Sequence, residues 1–266
     1  NIKQNNKGIS CFKLRIKFSY IHIVDIYSNP QLYDSIHKNY EWDLTLIKTF
    51  AKQNMGSVLE LASGTGRLAY PILELGLDYT GLELSKSFLQ MANKKLKNKG
   101  KFFIGDMRKF DLKSTFDFIF IGFNSFLHNL TTTDAKSCLK CVINHLSPKG
   151  KFLLSIFVPD PEFLYRDENK LYPATDFFQF ENSQCRILET NDYDSESQIN
   201  KLTWHIEKNG EMSLKKYNYS MRMFYPHEMD ILFQEQGFII EDKFGDYDLS
   251  PFDQESGMQI YLCRKQ

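Results

Sequence analysis

The sequence predicts an α/β fold: a mainly parallel sheet with helices on both faces, carrying an antiparallel β insert. Three observations predict it. Short apolar runs alternate with helical patterns between residues 57 and 158, a glycine-rich turn joins the first run to a helix, and from about residue 174 the texture changes to short alternating strands. A length of 266 residues suits one large domain or a core with a grafted subdomain.

The elements follow in order. After Pro30, residues 31–52 carry Tyr33, Ile36, Tyr40, Leu44, Ile47 and Phe50 at three- and four-residue spacing, which predicts one amphipathic helix. Apolar runs at 57–62, 79–83, 102–106, 116–122 and 151–158 predict strands, and helices are expected at about 67–75, 86–98 and 132–146. Strands separated by helices make βαβ units, and a parallel sheet covered on both faces explains runs as apolar as FDFIFI. In the lysine-rich stretch 93–101, Gly100 is expected to stop the helix, whose basic end complements the helix dipole. Between 176 and 225 the turns DYDSES and KNGE separate alternating strands, and Asn-Gly is the dipeptide of a tight hairpin. Pro226 opens a helix that Gly237 closes, and two strands at about 238–244 and 258–264 complete the sheet. Residues 12–18 alternate apolar and basic, as a short edge strand would; no function is assigned to them.

Composition removes several classes. Thirty-three Lys and Arg balance thirty-three Asp and Glu, so the basic excess of a dedicated nucleic-acid binder is missing and no nucleic-acid partner is expected. The apolar run near the N-terminus is broken by Lys13, Arg15, Lys17, His22 and Asp25, so no membrane partner is expected. Five scattered cysteines form no disulfide framework and suit a reducing, cytoplasmic setting. Cys138, Cys141 and His145 have a metal-like spacing, but all lie on one predicted helix beside its buried stripe, and no metal is expected.

The chemistry concentrates at residues 58–67, VLELASGTGR. Gly64 and Gly66 permit a tight turn and close backbone approach, and the helix that follows offers free N–H groups to an anionic part of a ligand. The spacing of Gly64, Gly66 and Ala69 also satisfies the dinucleotide fingerprint, so the glycines alone do not choose among adenosine-containing cofactors. Glu83 ends the second strand, 17 residues after Gly66, where a carboxylate accepts from ribose hydroxyls, and Asp106 ends the third, where one accepts from an adenine amino group.

With Glu60, Gly64, Gly66, Glu83 and Asp106 in that order, the chain resembles the class I S-adenosylmethionine-dependent methyltransferases over roughly residues 30–160 and the last two strands. The resemblance implies a Rossmann-like seven-stranded sheet of order 3-2-1-4-5-7-6, in which only the seventh strand is antiparallel. It implies that Glu60, Ala62, Gly64, Thr65 and Gly66 belong to the cofactor site, with Arg67 holding the methionine carboxylate. Glu83 would bind the ribose and Leu84 pack near the adenine, Asp106 and Met107 would bind the adenine edge, and Phe123 and Asn124 would face the methionine amine. S-adenosylhomocysteine would be the product. Tyr33-Asp34, the FNSFLH loop and the insert look like the small-molecule N-methyltransferases that include aminosugar and glycine N-methylating enzymes.

The expected division is then residues 1–29 as an N-terminal extension, 30–173 as the S-adenosylmethionine-binding core, 174–225 as an antiparallel β lid, and 226–266 as the last helix and strands of the core. The expected reaction moves a methyl group to a nitrogen or oxygen of a small-molecule acceptor. His128, after the fourth strand, is the candidate base, and Tyr33 the candidate to cover the methyl group or bond the acceptor. His128 bracing its loop and Tyr33 serving as core or rim remain open. The insert aromatics Phe177, Phe178, Phe180, Trp204, Tyr217 and Tyr219 are expected on the acceptor side. The alternatives are a nicotinamide-dependent reductase, which lacks support from a Tyr-x-x-x-Lys pair, and a non-catalytic S-adenosylmethionine-binding protein.

Overall fold

The computed structural model describes residues 22–266 except Met55 and Asn98, so residues 12–18 and Cys11 lie outside the described residues. The strands are β1 (His22–Asp25), β2 (Ser57–Leu61), β3 (Asp78–Glu83), β4 (Lys101–Ile104), β5 (Phe116–Ile121), β6 (Leu146–Phe157), β7 (Tyr172–Pro173), β8 (Phe178–Phe180), β9 (Ser183–Asp194), β10 (Ile199–Lys208), β11 (Glu211–Arg222), β12 (Phe238–Phe244) and β13 (Met258–Lys265). The helices are α1 (Pro30–Ile36), α2 (Leu44–Gln53), α3 (Ala69–Leu73), α4 (Lys86–Leu96), α5 (Thr132–His145), α6 (Pro161–Leu164) and α7 (Pro226–Glu235).

The main sheet runs β12-β13-β6-β5-β2-β3-β4. Its order is the expected 3-2-1-4-5-7-6 read from the other edge. All pairings from β4 to β6 are parallel, and β13 alone runs against its neighbours. After β2 the chain lays β3 and β4 to one side and β5 and β6 to the other. The carboxyl ends of β2 and β5 therefore border the crevice where such sheets take ligands.

Strand periodicity sorts the core into two layers. Leu59, Leu61, Ile119 and Ile121 face α5 and α7, where they meet Leu139, Val142 and Phe233. Val58, Phe118 and Phe120 face the other way, onto Leu46, Ile47, Phe50 and Ile72 of α2 and α3. Alternate side chains point to opposite faces, so a strand covered on both must be apolar throughout.

Two local expectations need correction. Residues 31–52 form two helices, α1 and α2, not one, and in the break between them the Tyr40 carbonyl and Asp43 carboxylate both accept from Arg67. Helix α4 ends before Gly100, at Leu96, with Lys97 in the left-handed region (φ 50°) as its cap.

The second sheet runs β1-β11-β10-β9-β7, with β8 also on β9. It takes in strands from before residues 174–225 at both of its edges, β7 from just before them and β1 from the N-terminal segment, where β1 pairs in parallel with β11. Asn209 (φ 52°) and Gly210 (φ 84°) make the β10–β11 turn, the pair of left-handed residues that a two-residue hairpin favours.

Candidate active site

The turn after β2 reverses through Ala62, Gly64 and Gly66, at φ 55°, 58° and 78°. The two glycines are small for different reasons. A Cβ on Gly64 would meet nothing within 4 Å, so that side of the turn is open to a ligand. A Cβ on Gly66 would stand 3.0 Å from Leu96 and 3.3 Å from Ala92, so Gly66 lets α4 pack against the turn.

Ala62 and Gly64 line a cavity of about 820 Å³, within the usual range of small-ligand sites. Glu60, Thr65, Gly66 and Arg67 do not line it. Glu60 is buried below the turn, accepts from the Tyr79 hydroxyl, and is pushed up to about 8 by burial. Thr65 donates to Asp34, which also takes Lys95 Nζ at 3.0 Å. Arg67 is committed to Asp43, with Nη1 on Oδ1 at 2.7 Å and Nη2 on Oδ2 at 2.6 Å. Its guanidinium lies near the rings of Tyr40 and Phe123, at 5.1 and 5.4 Å. The structure thus pairs Arg67 with the upstream Asp43 and does not bring it into the cavity lining.

The other expected residues line the cavity from the strand ends. Glu83 accepts from the Gly64 amide at 2.8 Å and the Ser85 amide at 2.7 Å, which orients the carboxylate although burial raises its pKa. Leu84 is exposed beside it. Asp106, with Met107, follows β4; Arg108 grips it through Nη2 at 2.6 Å and holds its carboxyl below the usual carboxylate range. Phe123 and Asn124 are both left-handed (φ 53° and 63°), and Asn124 Oδ1 accepts from the Phe157 amide at 2.8 Å, tying the loop to β6.

The second sheet and the N-terminal segment also contribute to the lining of the cavity. Trp204 and Tyr219 line it, whereas Tyr217 is packed away with Ile26 and Leu32, and Phe177, Phe178 and Phe180 lie outside the lining. Trp204 Nε1 donates to Glu189 at 2.9 Å, which fixes the indole. His128 also lines the cavity, but both ring nitrogens are engaged. A carbonyl oxygen only accepts, so Nδ1 donates to Ser220 at 3.1 Å, and Nε2 accepts from the Tyr27 hydroxyl at 2.7 Å. Burial lowers its pKa and keeps the ring neutral near pH 7.

Tyr33 lines the cavity with its ring 4.2 Å from that of His37. His37 was not expected in the site: its Nδ1 donates to the Tyr33 carbonyl at 2.8 Å, and burial pushes its pKa down to about 4. Its position one helical turn beyond Tyr33 is the signal that would have found it. Tyr27 was also missed, since residues before Pro30 carried no motif. Cys138 and His145 pack inside α5, and both His145 nitrogens bond backbone groups, the Leu112 amide and the Cys141 carbonyl.

A sheet that reverses between β2 and β5, a glycine turn at the reversal and carboxylates ending the next two strands define the fold of class I S-adenosylmethionine-dependent methyltransferases. Residues 58–150 match the family described as a methyltransferase domain. The putative methyltransferase YqeM of Bacillus subtilis (strain 168) is 30% identical over 128 residues, 44% of this chain and 52% of its own. The chain thus spans about half the length of the curated relatives it matches. Among solved structures, the CcbJ methyltransferase of Streptomyces caelestis shares the fold at a TM-score of 0.72 and 20% identity, over 89% of this chain and 99% of its own. The sugar N-methyltransferase KedS8 of Streptoalloteichus sp. ATCC 53650 shares it at 0.70 and 15% identity over 100% of both chains. No described helix is long and apolar enough to cross a membrane.

Proposed function

We propose that the chain methylates a nitrogen of a small-molecule amine, with amino sugars as the first class to test. The observation that carries this reading is one cavity lined both by Gly64, Glu83 and Asp106 from the main sheet's strand ends and by Tyr33, Trp204 and Tyr219 from α1 and the second sheet. A donor and an acceptor fit together there. The open side of Gly64 and the oriented Glu83 carboxylate suit S-adenosylmethionine, which when bound supplies a methyl group on positively charged sulfur. The charged groups of the lining are Asp25, Glu83 and Asp106 against Lys86 and Arg108, and its walls are aromatic, a setting that favours cations over anions. The sugar N-methyltransferase named among the structural neighbours supports the same acceptor class.

The residues present would act mainly by placement. Glu83 would hold the ribose, Asp106 and Met107 the adenine edge, and Phe123 and Asn124 the methionine end. The second sheet would serve as a lid whose Trp204 and Tyr219 position the acceptor. Holding two reactants in line contributes about 7–11 kcal/mol in well-oriented reactions, so little further catalysis is required.

Calorimetry with S-adenosylhomocysteine, S-adenosylmethionine, NAD and NADP tests the donor: the first two should bind and the nicotinamides should not. Radiolabelled methyl transfer to glucosamine, methylamine and the matching alcohols tests the acceptor. Tight nicotinamide binding, or transfer to alcohols alone, would sink the reading.

A further inference from the structure

Tyr27 and His128 both line the cavity and are hydrogen-bonded to each other at 2.7 Å. Tyr27 belongs to the turn that follows β1, in a segment whose sequence carries no motif, yet it is fixed from several directions. Its amide donates to Asp25 Oδ1 at 2.8 Å, and its carbonyl accepts from Ser85 Oγ at 2.8 Å and Ser87 Oγ at 3.3 Å. Its ring meets Phe88 edge-on at 5.8 Å. Two serines at the start of α4 thus pin Tyr27 beside the end of β3, where Glu83 lies.

The hydrogen-bond directions decide what each group can do. The Ser220 carbonyl places the His128 proton on Nδ1, so the Nε2 lone pair receives the Tyr27 hydroxyl proton. His128 then has no free nitrogen for an acceptor. The Tyr27 oxygen, having given its proton to Nε2, keeps its own lone pairs, and Tyr27 lines the cavity.

Resting on the amine reading above, we infer that the Tyr27 hydroxyl, backed by His128, is the group that meets the acceptor nitrogen and takes its proton. In balanced form, the ammonium N–H proton moves to Tyr27 Oη as the Tyr27 proton moves to His128 Nε2, leaving a neutral amine, a neutral tyrosine and an imidazolium. The amine lone pair then forms the nitrogen–carbon bond as the carbon–sulfur bond breaks with its electrons going to sulfur. The imidazolium returns its proton to water. Groups facing this chain are Asp25 beside Tyr27, Tyr33 from α1, Glu83 from the end of β3, and Tyr219 from β11. Of these, Asp25 favours the imidazolium. Burial keeps Tyr27 itself protonated at rest, so the phenol passes a proton on and does not store negative charge.

The test compares wild type with Tyr27→Phe, His128→Ala and the double variant, with glucosamine and methylamine as acceptors. Nitrogen-15 NMR of the His128 ring, with S-adenosylhomocysteine bound, should show Nδ1 protonated, and Tyr27→Phe should move the Nε2 signal toward that of a free imidazole nitrogen. Calorimetric affinity for S-adenosylhomocysteine should survive Tyr27→Phe, which keeps the ring. Each single variant should lower kcat on the order of 10²-fold and abolish the same basic limb of the pH profile, and the double variant should be no worse than the worse single one. An unchanged Nε2 signal, or Tyr27→Phe turning over as wild type while His128→Ala is slow, overturns the inference and leaves the amine reading standing. Wild type that methylates no amine overturns the amine reading and this inference with it.

Discussion

Arg67 meets both carboxylate oxygens of Asp43, at 2.7 and 2.6 Å, across the break between α1 and α2. Asp43 is 1% exposed while the Arg67 side chain is 25% exposed, so the two ends of the pair are not equivalent. Removing the arginine strands a carboxylate out of reach of water. Removing the aspartate leaves a guanidinium that still reaches solvent and the Tyr40 carbonyl.

Arg67→Ala should therefore destabilise the fold more than Asp43→Asn. Breaking a buried pair from the side that leaves an uncompensated charge costs about 3–5 kcal/mol, and partial exposure of Arg67 places this pair toward the lower figure. Urea unfolding of both variants checks the order. Equal losses would show that Asp43 is better solvated than its burial indicates.

Glu83 and Asp106 should separate affinity from stability. Asp106 is gripped by Arg108 at a partly exposed position, where an ion pair contributes little, so Asp106→Ala should weaken S-adenosylhomocysteine binding with little change in melting. Glu83→Ala should do both, because it also strips the Gly64 and Ser85 amides of their acceptor. Hydrogen bonds to charged groups are worth about 1.5–3 kcal/mol, so each variant should lose roughly ten- to a hundredfold in affinity by calorimetry. Binding at wild-type strength in both would make these carboxylates mere strand ends.

These outcomes bear on what was legible in the sequence. The run FDFIFI reads as a doubly covered strand because its pattern is written in adjacent residues, and the glycine turn and the acids ending β3 and β4 are local in the same way. The partner of Arg67 is not local. Nothing about residues 37–43 announces that a guanidinium 24 positions ahead will pair with Asp43 in the break between the helices. Tyr27 is further removed, since its bond to His128 spans 101 residues and exists only once β1 has paired with β11. Single tertiary contacts leave no periodic trace.

Glu60 offers a pH test. Its folded carboxyl titrates at about 8 against 4.5 for the ordinary group, because burial beneath the turn disfavours the charge. Between those values the folded state binds a proton that the unfolded state releases. This contribution is full below about pH 4.5 and is lost as pH rises through about 8. Glu60→Gln, which keeps an acceptor for Tyr79 and cannot ionise, should flatten the decline in stability between about pH 5 and pH 8. Chemical unfolding across that range checks it; parallel curves for variant and wild type would mean that Glu60 is ionised in the folded protein.

The two glycines of the turn should fail in different ways. Both are left-handed, so alanine at either carries roughly 1–2 kcal/mol of backbone strain. At Gly64 the added methyl has open space, and the strain is the whole cost to the fold; the methyl would, however, occupy the side from which a ligand approaches the turn. At Gly66 it would press on Leu96 at 3.0 Å and Ala92 at 3.3 Å, so α4 must shift or Leu96 must change rotamer, adding to the strain. Gly64→Ala should therefore melt only a few degrees lower and bind S-adenosylhomocysteine poorly, while Gly66→Ala should melt lower still. Differential scanning calorimetry and titration calorimetry on the pair read the two effects apart. Should Gly64→Ala bind the ligand as wild type does, the open face of the turn is not where the cofactor lies, and the assignment of Glu83 to the ribose would fall with it.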